Sequence, residues 1–187
     1  MKKSLLQGLI HRMIGKYIGR FLIQGEDPLM IKAEHCATVR TENTLMHAML
    51  LLTSVGYTSI PVLNEASHLA GVVTMPGIVN GVLEDDNYNW DLLNQRKVRD
   101  VMQDNPPSVF DDAKLEDVLR LLIQSNYICV TDKKGLFKGI VARKQILIRL
   151  NRLAHEFEIN YDVTPVHTSD HGAYELSSMT VNDLKAI

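Results

Sequence analysis

Gly56-Tyr57-Thr58-Ser59-Ile60-Pro61-Val62-Leu63 and Asn126-Tyr127-Ile128-Cys129-Val130-Thr131 are two versions of one pattern. Each opens on a residue that tolerates a left-handed backbone and can stop a helix, then runs into an apolar stretch that favours a strand. Upstream of each lies an amphipathic helix, carried by Leu45, Ala48, Met49, Leu51 and Leu52 in the first and by Leu115, Val118, Leu119, Leu122 and Ile123 in the second. Downstream comes a polar hairpin, Asn64 to His68 or Asp132 to Gly135. A second strand follows, where Leu69-Ala70-Gly71-Val72-Val73-Thr74 matches Phe137-Lys138-Gly139-Ile140-Val141-Ala142. An extended piece begins each copy (Ala37-Thr38-Val39; Pro107-Ser108-Val109-Phe110), and an apolar helix closes it (Ile78, Val79, Val82, Leu83; Ile146, Leu147, Leu150). Polar turns, Thr41-Glu42-Asn43 and Asp111-Asp112-Ala113, offer oxygens to cap the first helix of each copy.

The stretch from 38 to 83 thus aligns with that from 108 to 151 with a single two-residue offset, and Tyr57 falls opposite Tyr127. This internal repeat predicts an α/β (α+β) fold: two strand–helix–strand–strand–helix units that bury their sheet faces against each other. The expected organisation is an N-terminal helix over 1–24, a first repeat over 25–84, a connector over 85–97, a second repeat over 98–153 and an extension over 154–187. Glu84 to Asn94 is acidic and polar apart from Tyr88, Trp90, Leu92 and Leu93, which reads as a surface crossover. Beyond His155 the pattern fades into a loosely attached tail.

Composition narrows the function. A chain of 187 residues with 45% hydrophobic and 22% charged residues can bury a real core. Its net charge of −2 favours neither nucleic acid nor an acidic partner. Cys36 and Cys129 fit no zinc spacing and cannot build a disulfide scaffold, so a cytoplasmic location is expected. No apolar run reaches the roughly 18 residues a membrane span needs, and the Met1-Lys2-Lys3 start leads into no export signal. Leu5, Leu6, Leu9, Ile10, Met13, Ile14, Tyr17, Ile18, Phe21 and Leu22 form one stripe of a basic amphipathic helix, expected to pack on the body of the protein or on a partner subunit. A membrane-surface role for that helix, in an adaptor whose cleft is vestigial, is the competing reading. His155, His167 and His171 lack ligand spacing, and the paired acids Asp85-Asp86, Asp111-Asp112 and Glu116-Asp117 mark turns and caps. With no nucleophile–base pair and no phosphate loop either, the chain reads as a non-enzyme.

These residues resemble a pair of CBS (cystathionine β-synthase) domains, the arrangement called a Bateman module. The second copy carries the opening that family favours, Val98-Arg99-Asp100-Val101-Met102 with Pro106, Val109 and Leu115, and both copies carry its strand glycine, Gly71 and Gly139. Phe21-Leu22-Ile23, Gly56 to Leu63 and Gly139-Ile140-Val141-Ala142-Arg143-Lys144 are similar to the small cyclic-di-AMP-binding CBS proteins of Gram-positive bacteria (the CbpB or DarB type). Asn151 to Thr164 looks like the helical end of streptococcal members. The resemblance implies a regulatory homodimer that binds cyclic di-AMP between its repeats, with a (p)ppGpp synthetase/hydrolase as a partner when the ligand is absent.

The same resemblance assigns the candidate site. The family's nucleotide motif is Gly-x-x-Thr-x-x-Asp, whose aspartate holds ribose hydroxyls; here Gly77 and Gln145 stand at the aspartate positions, and Ala142 replaces the second threonine. That departure argues against the alternative ligands AMP, ADP and ATP, for which Gln145 is the one nearby group able to read the ribose. Arg143 and Lys144, two cations at a helix start, suit a phosphate. Thr58 and Ser59, beside Tyr57, bring hydroxyls to the cleft. Cys36, Ala37 and Thr38 belong to the opening strand, whose backbone would meet adenine. His35 stands near where relatives often place a lysine, which would make that phosphate contact sensitive to pH. Packing is the simpler account of Tyr57 and Tyr127, and Cys129 reads as a small buried hydrophobe.

Overall fold

A computed structural model describes residues 16–24, 28–85 and 87–162. In chain order these form α1 (Lys16–Ile23), β1 (Met30–Lys32) and a 3-10 turn (Ala33–His35), then the first repeat: β2 (Val39–Arg40), α2 (Leu45–Val55), β3 (Ser59–Leu63), β4 (Leu69–Thr74) and α3 (Met75–Asn80). Residues 83–104, the connector with the flanking ends of both repeats, are more structured than a bare crossover. They fold a hairpin from β5 (Leu83–Glu84) and β6 (Asn87–Tyr88), a short α4 (Leu92–Gln95), a 3-10 turn (Val98–Asp100) and β7 (Gln103–Asp104). Leu93 and Val98 from this stretch are buried in the first core, while Tyr88 and Trp90 stack on each other at 5.4 Å on the surface. The second repeat is β8 (Ser108–Phe110), α5 (Leu115–Gln124), β9 (Tyr127–Thr131), β10 (Phe137–Ala142) and α6 (Arg143–Asn160). The predicted strand–helix–strand–strand–helix order is present twice.

The offset has a structural cause. Helix α2 has 11 residues and α5 has 10, and three residues lead from α2 to β3 where two lead from α5 to β9. The helix ends differ accordingly. Gly56 takes the left-handed conformation (φ 68°) that stops α2. In the second copy Asn126 has no such role, because α5 stops one residue earlier at Ser125, in extended backbone. The caps also sit one residue later than the polar turns suggested. Thr44 Oγ accepts from His47 N at 3.2 Å, whereas Lys114 begins α5 without a side-chain cap.

Each repeat builds a sheet around its two long strands, and each sheet takes its fourth strand from the opening segment of the other repeat. The orders are β2-β3-β4-β7 and β1-β10-β9-β8. So β7, from the opening of the second repeat, lies on β4 (Gly71↔Asp104), and β1, from the opening of the first, lies on β10 (Lys32↔Gly139). This exchange explains the two strand glycines. A Cβ on Gly71 would stand 2.6 Å from the Gln103 carbonyl oxygen, and one on Gly139 (φ 150°) 2.1 Å from that of Ile31. Only glycine lets the visiting strand approach that closely.

Val39, Leu45, Leu52, Ile60, Val62, Val73 and Ile78 fill the first core, and Val118, Leu122, Ile128, Val130, Val141 and Ile146 the second. A third cluster, built on Leu63, Cys129 and Phe137, joins the repeats. There Leu69 N donates to the Gly135 oxygen and Phe137 N to the Ser67 oxygen, both at 3.1 Å. Since Leu69 and Phe137 start equivalent strands, this reciprocal pair marks an approximate two-fold axis between the repeats.

Helix α1 is held by α6. Its carbonyls at the C-terminal end, which no later turn can satisfy, accept from Arg149 Nη1 (Leu22 O, 2.5 Å; Ile23 O, 2.7 Å). Arg152 Nη2 donates to the Gln24 oxygen at 2.6 Å and its guanidinium lies 5.0 Å from the Phe21 ring centroid. Cations at that helix end also complement its dipole. Leu22 is buried, so the described end of the stripe packs on the body of the protein; residues 1–15 of the predicted helix lie outside the described residues. The chain divides into two compact units, Met1–Ala154 and His155–Ile187. The second is described as far as Asp162, with Phe157 stacked on Tyr161 at 4.7 Å. Most of the expected tail, with His167 and His171, lies outside the described residues. No helix among the described residues is long and apolar enough to cross a membrane.

Candidate functional site

The candidates of the first repeat arrive on two segments. His35 ends the 3-10 turn, exposed, with Nε2 3.6 Å from Glu34 Oε1. Cys36, Ala37 and Thr38 form the connection into β2 instead of the strand itself, because pairing to β3 begins only at Val39↔Val62. The Cys36 thiol donates to the carbonyl oxygens of Lys32 (3.3 Å) and Ile31 (3.5 Å). Burial pushes that thiol's pKa up, partly offset by the Ile140 backbone beside it. Ala37 packs against the first core. On the second segment Tyr57 and Thr58 are exposed, and the Thr58 oxygen accepts from Met75 N at 3.4 Å. Ser59 opens β3 opposite Thr74.

The candidates of the second repeat begin α6. Arg143 N donates to the Asn126 oxygen at 2.8 Å, the counterpart of the Met75–Thr58 bond. Arg143 Nε donates to the oxygens of Leu122 (2.8 Å) and Ser125 (3.0 Å), closing the end of α5. Its Nη nitrogens take no part in those two bonds. Lys144 is exposed beside it. Two cations therefore stand at the first turn of a helix whose preceding residue, Ala142, has no oxygen to cap it. At the matching place in the first repeat, Thr74 Oγ accepts from Gly77 N at 3.0 Å and so occupies the start of α3. A phosphate has charge and backbone donors to meet at α6; at α3 the hydroxyl is already there.

What links the halves is a residue outside the predicted set. Tyr127 pairs with Ala142 on its own sheet, and the Ser59 hydroxyl donates to Tyr127 Oη at 3.3 Å. Tyr127 packs with Ala33, Cys36 and Ile140 around the cluster that joins the repeats. The register makes Ser59, not Tyr57, the counterpart of Tyr127: each is the first residue of its strand, opposite Thr74 or Ala142. Tyr57 is 56% exposed, so packing accounts for Tyr127 but not for Tyr57. The matching Gly-Tyr and Asn-Tyr pairs hid this, since nothing local reveals which of two residues an alignment should skip. Cys129 is fully buried, as expected, and burial pushes its thiol up to about 12.

Thus Cys36, Ser59, Tyr127 and the start of α6 come together where the repeats meet, with Thr58 beside Ser59, while His35 and Tyr57 are exposed. A shallow groove along the connector hairpin, lined by Glu84, Tyr88, Trp90 and Asp91 among others, includes none of the candidates. Among the described residues no group of three or more His, Cys, Asp or Glu side chains could hold a metal ion.

Two exchanged sheets around an approximate two-fold define a tandem CBS module, and the chain belongs to the CBS domain family, which matches residues 28–84 and 98–152. Within it, the chain is 32% identical over 123 residues to cyclic di-AMP receptor B of Bacillus subtilis, covering 66% of this chain and 84% of that protein. The crystal structure of CbpB from Listeria monocytogenes in complex with c-di-AMP is 37% identical, with a TM-score of 0.63, covering 67% of this chain and 94% of that one. CbpB from Streptococcus agalactiae is 26% identical with a TM-score of 0.71, and the match extends to 82% of this chain and 97% of that one.

Proposed function

We propose that this protein is a regulatory module that binds cyclic di-AMP between its two repeats and thereby changes which protein it can hold. The observation that carries this reading is its 37% identity, over nearly all of the other chain, to a CbpB crystallised with that nucleotide. The cleft chemistry agrees. Arg143 and Lys144 meet a phosphate, Thr58 and Ser59 offer hydroxyls, and the backbone from Cys36 to Thr38 faces a base. The His35 imidazole is a further candidate contact. Gly77 and Gln145 leave the ribose-reading carboxylate of an AMP or ATP sensor absent from both copies. Binding without catalysis fits a CBS regulatory domain.

The working form is a homodimer. Ile123 (69% exposed), Leu147 (56%) and Ile148 (52%) project from α5 and α6, apolar surface that a second copy would cover. A (p)ppGpp synthetase/hydrolase, suggested by the family, is the partner held when the ligand is absent. A ligand shifts such an equilibrium only through its different affinity for the two states. Here the transmitting part is α6, which begins at the phosphate contacts and further along clamps α1 through Arg149 and Arg152. Isothermal titration calorimetry with cyclic di-AMP, AMP and ATP in parallel tests the ligand. Saturable binding of cyclic di-AMP at far lower concentration than the other two is expected; tighter binding of AMP or ATP, or silence with all three, overturns the reading.

A further inference from the structure

Tyr127 stands in the second repeat where Ser59 stands in the first, and the two meet across the approximate two-fold axis with Oγ and Oη 3.3 Å apart. The tyrosine ring packs against the cluster of Leu63, Cys129 and Phe137 that joins the repeats. This burial raises its pKa further above an ordinary value that already leaves the phenol protonated at neutral pH. A ring placed there for packing alone would need no oxygen. This one is partnered by a candidate hydroxyl of the opposite repeat. With its proton directed at Tyr127, the Ser59 oxygen keeps its lone pairs for a further donor and loses rotational freedom. On its own sheet Tyr127 faces Ala142, the residue before Arg143. One side chain therefore ties the hydroxyl end of the cleft to the strand that presents the cationic end.

We propose that Tyr127 is a positioning residue of the ligand cleft, holding the Ser59 hydroxyl in the orientation the nucleotide meets and coupling the first repeat's half of the site to the second's. The inference rests on the cyclic di-AMP reading above. Fixing a hydroxyl before the ligand arrives removes part of the ordering cost of binding.

The test is calorimetric titration of the full chain with cyclic di-AMP for wild type, Ser59→Ala, Tyr127→Phe and the double variant, with thermal melting of each free protein. Tyr127→Phe, which keeps the ring, is expected to weaken binding roughly tenfold while moving the melting midpoint by about 2 °C or less. In the Ser59→Ala background the same substitution costs less than about twofold, because its effect runs through Ser59. Ser59→Thr, which keeps the hydroxyl, stays within about threefold of wild type. Binding by Tyr127→Phe within about twofold of wild type overturns the proposal, as does an equal loss in both backgrounds, the signature of a phenol that acts independently of Ser59. Wild type that binds no cyclic di-AMP overturns the ligand reading itself, a result distinct from either.

Discussion

Met75-Pro76-Gly77 in the first repeat and Arg143-Lys144-Gln145 in the second occupy the same place, just past the last strand and at the start of the closing helix. The backbone reaches it in the same way, through Met75 N on the Thr58 oxygen and Arg143 N on the Asn126 oxygen. The side chains then diverge. Thr74 caps α3, Pro76 removes a further donor and Met75 is apolar, whereas Ala142 leaves α6 without a side-chain oxygen ahead of two cations. The opening segments diverge in step, since Pro106-Pro107-Ser108 stands where Cys36-Ala37-Thr38 does, and Pro107 lacks the N–H that Ala37 keeps. A scaffold built twice offers two equivalent helix starts, and only the one at α6 carries a pair of cations.

The largest expected effect concerns what the repeats still share. Gly71 and Gly139 both admit a visiting strand, but Gly139 is the tighter and has a positive φ. Gly139→Ala should cost about 4 kcal/mol of unfolding free energy and Gly71→Ala about 2 kcal/mol, by urea denaturation. Equal costs would show that the visiting strands yield alike.

Next comes the cationic end. Arg143→Ala should raise the Kd for cyclic di-AMP about 100-fold, since charge-assisted bonds to a phosphate are the strong ones. Arg143→Lys keeps the charge but not the bonds to Leu122 and Ser125, and should lose about tenfold. Titrations within twofold of wild type would move the phosphate elsewhere. Thr74→Ala sharpens the contrast from the other side. It removes the α3 cap at about 1 kcal/mol of stability, and the affinity for cyclic di-AMP should not change.

The last effect is confined to high pH and vanishes below pH 9. Cys129, raised to about 12 from an ordinary 9.0, has as its first-repeat counterpart Pro61, which has no proton to lose. Below pH 9 the thiol is neutral both folded and unfolded, and its contribution is complete. Above pH 9 the unfolded chain releases the proton first, so stability falls until the folded thiol also ionises, by at most about 1.4 kcal/mol per pH unit. Tyr127 acts in the same direction. Melting curves between pH 8 and 11 should fall less steeply for Cys129→Ala than for wild type.

Much of this was legible in the sequence, and the remainder failed for physical reasons. Strands 59–63, 69–74 and 137–142 follow from short apolar runs bounded by turn residues, and Gly56 marks the end of α2. The exchange of β1 and β7 was not legible, because two- and three-residue strands gain their pairing from a distant partner and not from their own composition. Asp111 and Asp112 resembled caps, yet the Asp111 N–H donates to the Thr131 oxygen, which fixes the turn ahead of the helix. At the candidate site, Arg143, Lys144, Thr58 and Ser59 could be proposed from the family resemblance and their places in the repeat. Tyr127 was missed because its oxygen matters only across the two-fold axis, a relation no single stretch of sequence contains.

A crystal structure of the protein with cyclic di-AMP tests the asymmetry most directly. Ligand density between the repeats is expected with a phosphate on Arg143 and Lys144 at the start of α6, and with none beside Met75 and Pro76. A phosphate at the start of α3, or phosphates at the starts of both α3 and α6, would contradict it.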